Sequence, residues 1–225
     1  MTGIIVAMHK ELELLLPLLE NSTETVIDGF TFHQGHIGTT QVVAMQCGIG
    51  KVNAAMGALT LINRFKPQCV INTGVAGGAD KQVRVMDIVI GQQVAYHDVW
   101  CGPESPLGVV QGLPLYYEAA PDLLKLVPQR EDIHLGLICS GDQFIDSMDK
   151  VKAIKQSFPQ ALAVDMESAA IAQVCHIRCV DFMSMRVISD SPGASHDNTQ
   201  QYNDFWQDAP QHTFQVLHKM LIELR

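Results

Sequence analysis

The hydrophobic residues of the chain follow two patterns that alternate along most of its length. Short uninterrupted apolar runs, typical of strands buried on both faces, alternate with longer segments in which apolar residues recur every three to four positions, as in helices. The predicted strands cover residues 3–8, 30–34, 41–47, 69–73, 85–93, 135–140, 161–166 and 182–189. The predicted helices cover residues 9–16, 52–65, 147–158, 167–176 and 202–224.

This alternation predicts a single α/β domain over residues 1–225, with a mixed, mostly parallel central sheet flanked by helices on both faces. The hairpin predicted at residues 30–47, which turns near Gly38, makes the sheet mixed. Pro17 is expected to kink or shorten the first helix, because proline lacks an N–H donor and clashes with the preceding turn. Asp146 or Ser147 is expected to cap the third helix.

Length and composition agree with a single packed domain. The chain has 225 residues, of which 47% are hydrophobic and 17% charged, so a substantial core is expected. The formal net charge of −9 argues against a nucleic-acid partner, since such proteins normally present a basic face. The N-terminal apolar run is much shorter than a membrane span and lacks a basic leader, so we expect a cytoplasmic protein with no membrane partner.

The cysteines and histidines give only a weak indication of a metal site. Several cysteines lie in or beside apolar runs, which favours free, buried thiols. Cys175 and Cys179 flank His176 and raise the alternative of a metal centre, but no second ligand pair follows at a suitable spacing. We therefore expect neither a metal nor a cofactor.

Six of the predicted strands end at or beside positions that, apart from Met8, carry mostly small or polar groups. These positions are Met8, Gly48, Gly74, 140–142, 165–167 and 189–190. In an open α/β sheet, ligands collect outside the carboxyl ends of the strands. We therefore expect these distant segments to converge on one cleft.

The glycine-rich segment 74–78 directly follows a predicted strand. Its glycines would expose backbone N–H groups to a ligand, but the pattern is neither the dinucleotide-binding nor the triphosphate-binding motif. A ligand contact and a tight strand-to-loop turn are equally good interpretations of this segment.

Besides Asp142, acidic residues lie at or just past three of the strand ends, and each has an ordinary structural explanation. Asp165 and Glu167 lie where a strand meets a helix, where a carboxylate is either functional or simply stabilised by the helix dipole. Asp190 could form a turn or a cap, and Glu11 could be a solvated residue at a helix start. Arg186 lies inside a strand and needs an acidic partner, for which Glu167 is a candidate.

A Ser-His-Asp hydrolase is a poor match to the same residues. Ser189 and Asp190 are adjacent, but the chain has no GxSxG motif and no histidine placed to complete a triad.

Seven motifs occur in order along the chain, at residues 4–11, 47–51, 72–78, 96–98, 140–145, 164–169 and 186–190. Together they resemble, nearly end to end, the 5′-methylthioadenosine/S-adenosylhomocysteine nucleosidases of the purine nucleoside phosphorylase superfamily. The resemblance implies a nucleoside phosphorylase-like fold. It also implies hydrolysis of methylthioadenosine, S-adenosylhomocysteine and 5′-deoxyadenosine to adenine and the 5′-substituted ribose.

The resemblance implies separate roles for three acids. Asp190 matches the acid that protonates adenine at N7, Glu11 matches the base that activates water, and Glu167 matches the residue that binds the ribose hydroxyls. This is the acid-and-base logic of inverting glycosidases, applied to an N-glycoside. The other implied pocket residues are Met166 on the ribose, Phe144 stacked on adenine, the Ile145 backbone at its Watson–Crick edge, Gly77 in the base pocket, Met8 and Ile49 along the sugar and 5′ end, Ser189, and Tyr202 over the 5′ substituent.

The chain departs from the family pattern at four places. Val75 stands where the family often has Ser or Thr, and Asp165 replaces the outer glutamate of the usual Glu-Met-Glu. The loop at 191–201 is longer than usual, and the segment 101–115 is divergent. In the family that segment helps to form a dimer interface that completes the neighbouring pocket, so a homodimer is the expected assembly.

Water is favoured over phosphate as the nucleophile. The segments around Met8, Gly48 and Gly74 carry no arginine that could hold phosphate, and Glu11 would repel it. The alternatives are a nucleosidase of another 5′-modified nucleoside such as 6-amino-6-deoxyfutalosine, a purine nucleoside phosphorylase, or a catalytically silent nucleoside-binding module. The presence of all three acids argues against the last.

Overall fold

The computed structural model describes residues 1–191, 202, 205–206 and 212–224. Its strands are β1 (Thr2–Val6), β2 (Glu20–Ile27), β3 (Phe30–Ile37), β4 (Thr40–Gln46), β5 (Cys69–Gly78), β6 (Ile88–Tyr96), β7 (Tyr117–Glu118), β8 (Ile133–Ser140), β9 (Ala161–Asp165) and β10 (Asp181–Asp190). Its α-helices are α1 (His9–Leu15), α2 (Lys51–Phe65), α3 (Pro121–Leu124), α4 (Met148–Ser157), α5 (Ser168–Arg178) and α6 (His212–Glu223).

The strands form one mixed sheet whose long central strand, β5, has three neighbours. Its first residues pair with β1, its last two pair with β9, and β10 runs beside it over most of its length. From β1 the sheet continues through β4 and β3 to the edge strand β2, while β10, β6, β8 and β9 lead back to β5. Five strands therefore close on themselves, and the predicted mixed α/β sheet is confirmed.

Parallel strands form the part of the sheet that carries the site. Strands β4, β1, β5 and β10 are parallel to their neighbours in that order, and so are β6, β8 and β9. Antiparallel pairings join β10 to β6, β5 to β9, and the strands of the β2–β3–β4 meander.

Helices cover both faces of the sheet, as predicted. Helices α2 and α5 pack on one face, where Ala58 and Leu61 meet a core that includes Ile171. Helices α1 and α6 pack on the other face, which contains Leu15 and Leu217. Burial of these apolar stripes stabilises both layers.

Two local predictions are confirmed. Helix α1 ends at Leu15 and passes into a short 3₁₀ turn that contains Pro17. Ser147 is the N-cap of α4, where its side chain accepts a hydrogen bond from the Lys150 N–H at 3.4 Å.

The predicted end of one strand was wrong, and one strand was missed. Residues 74–78 continue β5 instead of forming a turn, because their backbone pairs with β10 along one edge and with β9 at Gly77 and Gly78. These ladder hydrogen bonds outweigh the low strand preference of glycine. Strand β2 was not predicted, because it lies at the sheet edge with nearly all of its residues exposed and so has no apolar pattern.

The C-terminal helix was predicted to span residues 202–224. Residues 202, 205 and 206 are helical, and α6 begins at His212. The other residues between 192 and 211, which include most of the 191–201 loop, lie outside the described part of the chain. Among the described helices, none is long and apolar enough to cross a membrane.

Candidate active site

A cavity of about 630 Å³, including the solvent at its mouth, opens where the carboxyl ends of the strands meet. Its described lining consists of Ala7, Met8, Glu11, Ile49, Val75, Ala76, Gly77, Gln143, Phe144, Ile145, Val164, Asp165, Met166, Glu167, Ser189, Asp190 and Tyr202. All eleven residues assigned to the site from the sequence line this one cavity.

The described lining comes from seven separate parts of the chain. They are the β1–α1 junction, the loop after β4, the end of β5, the loop after β8, the β9–α5 junction, the end of β10 and the position of Tyr202. The expected convergence of strand ends is therefore present. It arises because parallel strands bring their carboxyl ends to the same edge of a sheet.

Glu11 is buried at the start of α1, with its carboxylate held by backbone donors. Its Oε2 accepts hydrogen bonds from the N–H groups of Ala7 and Met8, both at 2.9 Å, and its Oε1 accepts one from Val75 at 3.0 Å. Burial raises the pKa of Glu11, against the opposing effects of the Arg186 charge and these N–H groups. A carboxylate with a raised pKa is a stronger base.

Gly74 makes room for the Glu11 carboxylate. Its φ is +149°, and a Cβ atom at this position would lie 2.3 Å from Glu11 Oε1 and 2.7 Å from Arg186 Nη1. Neither atom can be displaced without breaking the arrangement, so a glycine is required here.

Glu167 lies at the N-terminus of α5 and faces both the cavity and the buried Arg186. Its Oε1 accepts a hydrogen bond from the Gly50 N–H at 2.9 Å, and its Oε2 is 3.6 Å from Arg186 Nη2. Burial raises the pKa of Glu167 to about 7, although the Arg186 charge acts in the opposite direction. The carboxylate is therefore close to its titration point at neutral pH.

Arg186 is completely buried and pairs more closely with Asp165 than with Glu167. Its Nη2 is 2.6 Å from Asp165 Oδ2, whereas the partner expected from the sequence, Glu167, is 1.0 Å farther away. Nη2 also donates to Asn72 Oδ1 at 2.5 Å and to Ser168 Oγ at 3.2 Å. A buried cation requires such partners, because an unpaired one is costly.

Asp165 is held from several sides. It accepts hydrogen bonds from the hydroxyl groups of Ser140 and Ser168 and from the Ser168 N–H. Asp165 thus neutralises Arg186, which leaves Glu167 with the weaker contact to the guanidinium and a side chain on the cavity wall.

Asp190 ends β10 and is 2% exposed. The hydroxyl of Ser189 donates a hydrogen bond to Asp190 Oδ1 at 2.7 Å. The carboxylate is therefore oriented by its neighbour while it remains on the cavity wall.

Aromatic and thioether side chains form the more open part of the cavity. The rings of Phe144 and Tyr202 meet edge to face with centroids 6.0 Å apart, and the Tyr202 hydroxyl is 3.2 Å from Met8 Sδ. Phe144 and Ile49 are each about half exposed, at 47% and 52%. This part of the cavity suits an apolar group.

Sequence reasoning missed the polar residues that hold the carboxylates. Asn72 and Ser168 lie inside apolar segments, and an isolated buried polar residue of this kind was the available signal. The Gly50 N–H that binds Glu167 left no signal, because a backbone group belongs to every residue type.

No group of three or more His, Cys, Asp or Glu that could hold a metal ion occurs in the described part of the chain. Cys175 is buried and Cys179 is exposed, and both are free thiols.

Known proteins match this chain in both sequence and fold. The family described as the phosphorylase superfamily matches residues 2–222. A 5′-methylthioadenosine/S-adenosylhomocysteine nucleosidase from Lysinibacillus sphaericus (strain C3-41) is 38% identical, and the match covers 99% of each chain. The structure of a nucleosidase of the same name from S. pneumoniae, with the transition-state inhibitor MT-ImmA, has a TM-score of 0.94 and 37% identity, and covers 100% of this chain and 99% of that one.

A second kind of relative is also similar in structure. Futalosine hydrolase of Helicobacter pylori strain 26695 has a TM-score of 0.91 at 28% identity, covering 99% of this chain and 97% of that one.

The chain belongs to the phosphorylase superfamily and, within it, to the 5′-methylthioadenosine/S-adenosylhomocysteine nucleosidase family. The resemblance drawn from the sequence and the expected nucleoside phosphorylase-like fold are thereby confirmed. So is the expected enzyme class, since nucleosidases are N-glycosyl hydrolases of adenosine-type substrates.

Proposed function

We propose that the protein hydrolyses the N-glycosidic bond of 5′-methylthioadenosine and S-adenosylhomocysteine, and also that of 5′-deoxyadenosine. The products are adenine and the 5′-substituted ribose. One observation carries the choice of hydrolysis: the described lining of the cavity contains four carboxylates and no lysine, arginine or histidine. A neutral nucleoside and a water molecule suit such a surface, whereas phosphate would be repelled. No cofactor is required.

Asp190 is the general acid of this proposal. Adenine leaves readily only when it is protonated, so an acid must reach N7 as the bond breaks. The support for Asp190 is its burial on the cavity wall and the hydrogen bond from Ser189 that orients it. Assistance of this kind contributes about 10²–10⁴-fold in rate.

Glu11 is the general base that takes a proton from the attacking water. Its support is a fixed, buried carboxylate with a raised pKa at the β1–α1 junction. As the sugar develops oxocarbenium character, the water adds to C1′ and its proton passes to Glu11.

Glu167 binds the ribose hydroxyls and stabilises the positive charge that develops on the sugar. We assign the remaining lining residues the roles that the family resemblance implies, and their support is that all of them line this cavity. Met166 packs on the ribose, Phe144 stacks on adenine, the Ile145 backbone reads its Watson–Crick edge, and Gly77 lies in the base pocket. Met8 and Ile49 lie along the sugar and the 5′ end, Tyr202 lies over the 5′ substituent, and Ser189 is a further substrate-binding residue.

We also propose that the protein is a homodimer in which the segment 101–115 approaches the neighbouring pocket. The support is an exposed apolar stripe on α2, where Val52, Met56 and Leu59 are 70%, 54% and 42% exposed. These residues recur at the spacing of one helix face, and the helix begins beside Ile49 at the pocket. Contiguous apolar surface of this kind marks an interaction site.

The decisive experiment is incubation of the protein with methylthioadenosine in buffer from which phosphate has been removed. Free adenine is expected, together with the reducing sugar, and added phosphate should not increase the rate. Adenine that appears only when phosphate is added would identify a phosphorylase. No adenine under either condition would refute the proposal.

The similarity to futalosine hydrolase supports one alternative, a nucleosidase of 6-amino-6-deoxyfutalosine. Methylthioadenosine and 6-amino-6-deoxyfutalosine share the ribose and the adenine and differ at the 5′ end. Comparison of kcat/KM for the two nucleosides in the same assay decides between them.

A further inference from the structure

An ion-pair cluster outside the cavity joins two of the loops that line it, those after β4 and β8, to the loop after β6. Lys51 is the first residue of α2, and its Nζ donates to both carboxylate oxygens of Asp98, each at 2.8 Å. Asp98 Oδ2 also accepts a hydrogen bond from the Asp142 N–H at 2.8 Å, and Asp142 Oδ1 accepts one from the Lys51 N–H at 2.8 Å. The loops after β4, β6 and β8 are thereby connected.

The contacts of this cluster are more restricted than those of an ordinary surface ion pair. The Lys51 and Asp98 side chains are 22% and 16% exposed, and Lys51 Nζ lies 5.5 Å from the centre of the Tyr96 ring. A partly buried ammonium with two carboxylate contacts and a ring beneath it is held in one geometry, unlike an exposed pair.

The cluster connects directly to the carboxylate assigned to the ribose. Gly50, immediately before Lys51, donates its N–H to Glu167 Oε1 at 2.9 Å. Asp142 immediately precedes Gln143 and Phe144, which line the cavity. Lys51 and Asp98 themselves do not line the cavity, so they act on it only through these neighbours.

We infer that Lys51 and Asp98 are positioning residues, whose ion pair keeps the Gly50 N–H on the Glu167 carboxylate so that Glu167 meets the ribose hydroxyls in one orientation. This inference rests on the proposed function, in which Glu167 binds the ribose. A hydrogen bond to a charged group has a larger energetic effect than one between neutral groups, so its loss should be measurable in the reaction.

The test compares Lys51→Met, Asp98→Asn and Lys51→Arg with the wild-type protein. Lys51→Met and Asp98→Asn should each lower kcat/KM by about tenfold to a hundredfold, and the double variant should be no worse than either one. Lys51→Arg should recover part of the loss. Lys125→Met, which breaks an exposed ion pair with Asp122, is the matched control and should be unchanged.

A substrate comparison separates positioning from general loosening of the site. With the 2′-deoxy analogue of the nucleoside, the effect of Lys51→Met should shrink severalfold, because part of the ribose contact is absent in both proteins. An equal loss with both substrates, at an unchanged melting temperature, would overturn the inference.

The amide proton of Gly50 gives a readout that does not depend on turnover. Its NMR shift in the wild-type protein should follow the ionisation of Glu167, and Lys51→Met should weaken that dependence. An identical titration in the variant would overturn the inference. Failure of the wild-type protein to release adenine would instead refute the proposed function, while this measurement would still test the link between Lys51 and Glu167.

Discussion

Replacement of Glu167 by glutamine should make the stability of the protein less sensitive to pH. Glu167 is 5% exposed, and burial raises its pKa from 4.5 to about 7. Between these values the folded protein keeps a proton that the unfolded chain has released. The stabilisation from this proton is therefore complete below pH 4.5 and is lost as the pH rises through about 7.

The size of the effect follows from the two pKa values. Each pH unit between 4.5 and about 7 removes about 1.4 kcal/mol, so the total is roughly 3 kcal/mol. Glutamine does not titrate, and its side-chain oxygen can still accept the hydrogen bond from the Gly50 N–H. The free energy of unfolding of Glu167→Gln, relative to wild type, should therefore rise by roughly 3 kcal/mol between pH 4.5 and pH 8.

Urea unfolding, followed by circular dichroism at a series of pH values, measures this difference. Glu13→Gln is the control, because it makes the same chemical change at a side chain that is exposed. Its stability relative to wild type should stay nearly constant. The reasoning would be refuted if the free energy of unfolding of Glu167→Gln, relative to wild type, stayed constant or fell as the pH rises. If Glu167→Gln also fails to release adenine, then the Glu167 carboxylate is needed for the reaction even though its buried charge lowers the stability of the protein.

Three further predictions follow from the site and from α2. Gly74→Ala should destabilise the protein by about 1–3 kcal/mol and displace Glu11, and a variant with the melting temperature of wild type would contradict this. Asp190→Asn should lower kcat by about 10²–10⁴-fold while calorimetry still detects binding of a non-hydrolysable adenosine analogue, so unchanged turnover would show that the acid is another residue. Met56→Glu should shift sedimentation from dimer to monomer, whereas Val26→Glu, at similar exposure on β2, should not; a monomeric wild-type protein would rule out the dimer.

Much of the pocket could be predicted because its residues lie at the ends of apolar strands. An apolar run shows from the local sequence alone that a strand is buried. Because parallel strands in an open α/β sheet bring their carboxyl ends to one edge, where ligands collect, the residues at these ends are expected to meet. Glu11, Glu167 and Asp190 each had an ordinary structural explanation, and only the family resemblance separated their roles. The structure adds that all three are buried and line the same cavity.

The sequence by itself determined the main alternation of strands and helices, the strand ends that line the cavity and the family, although it missed the edge strand β2. The tertiary structure alone decided that β5 continues through residues 74–78, that Arg186 pairs most closely with Asp165, and that the Gly50 N–H binds Glu167. The physical reason is that periodicity reports only whether a residue is buried. Pairings between residues far apart in the chain depend on how the strands close into one sheet.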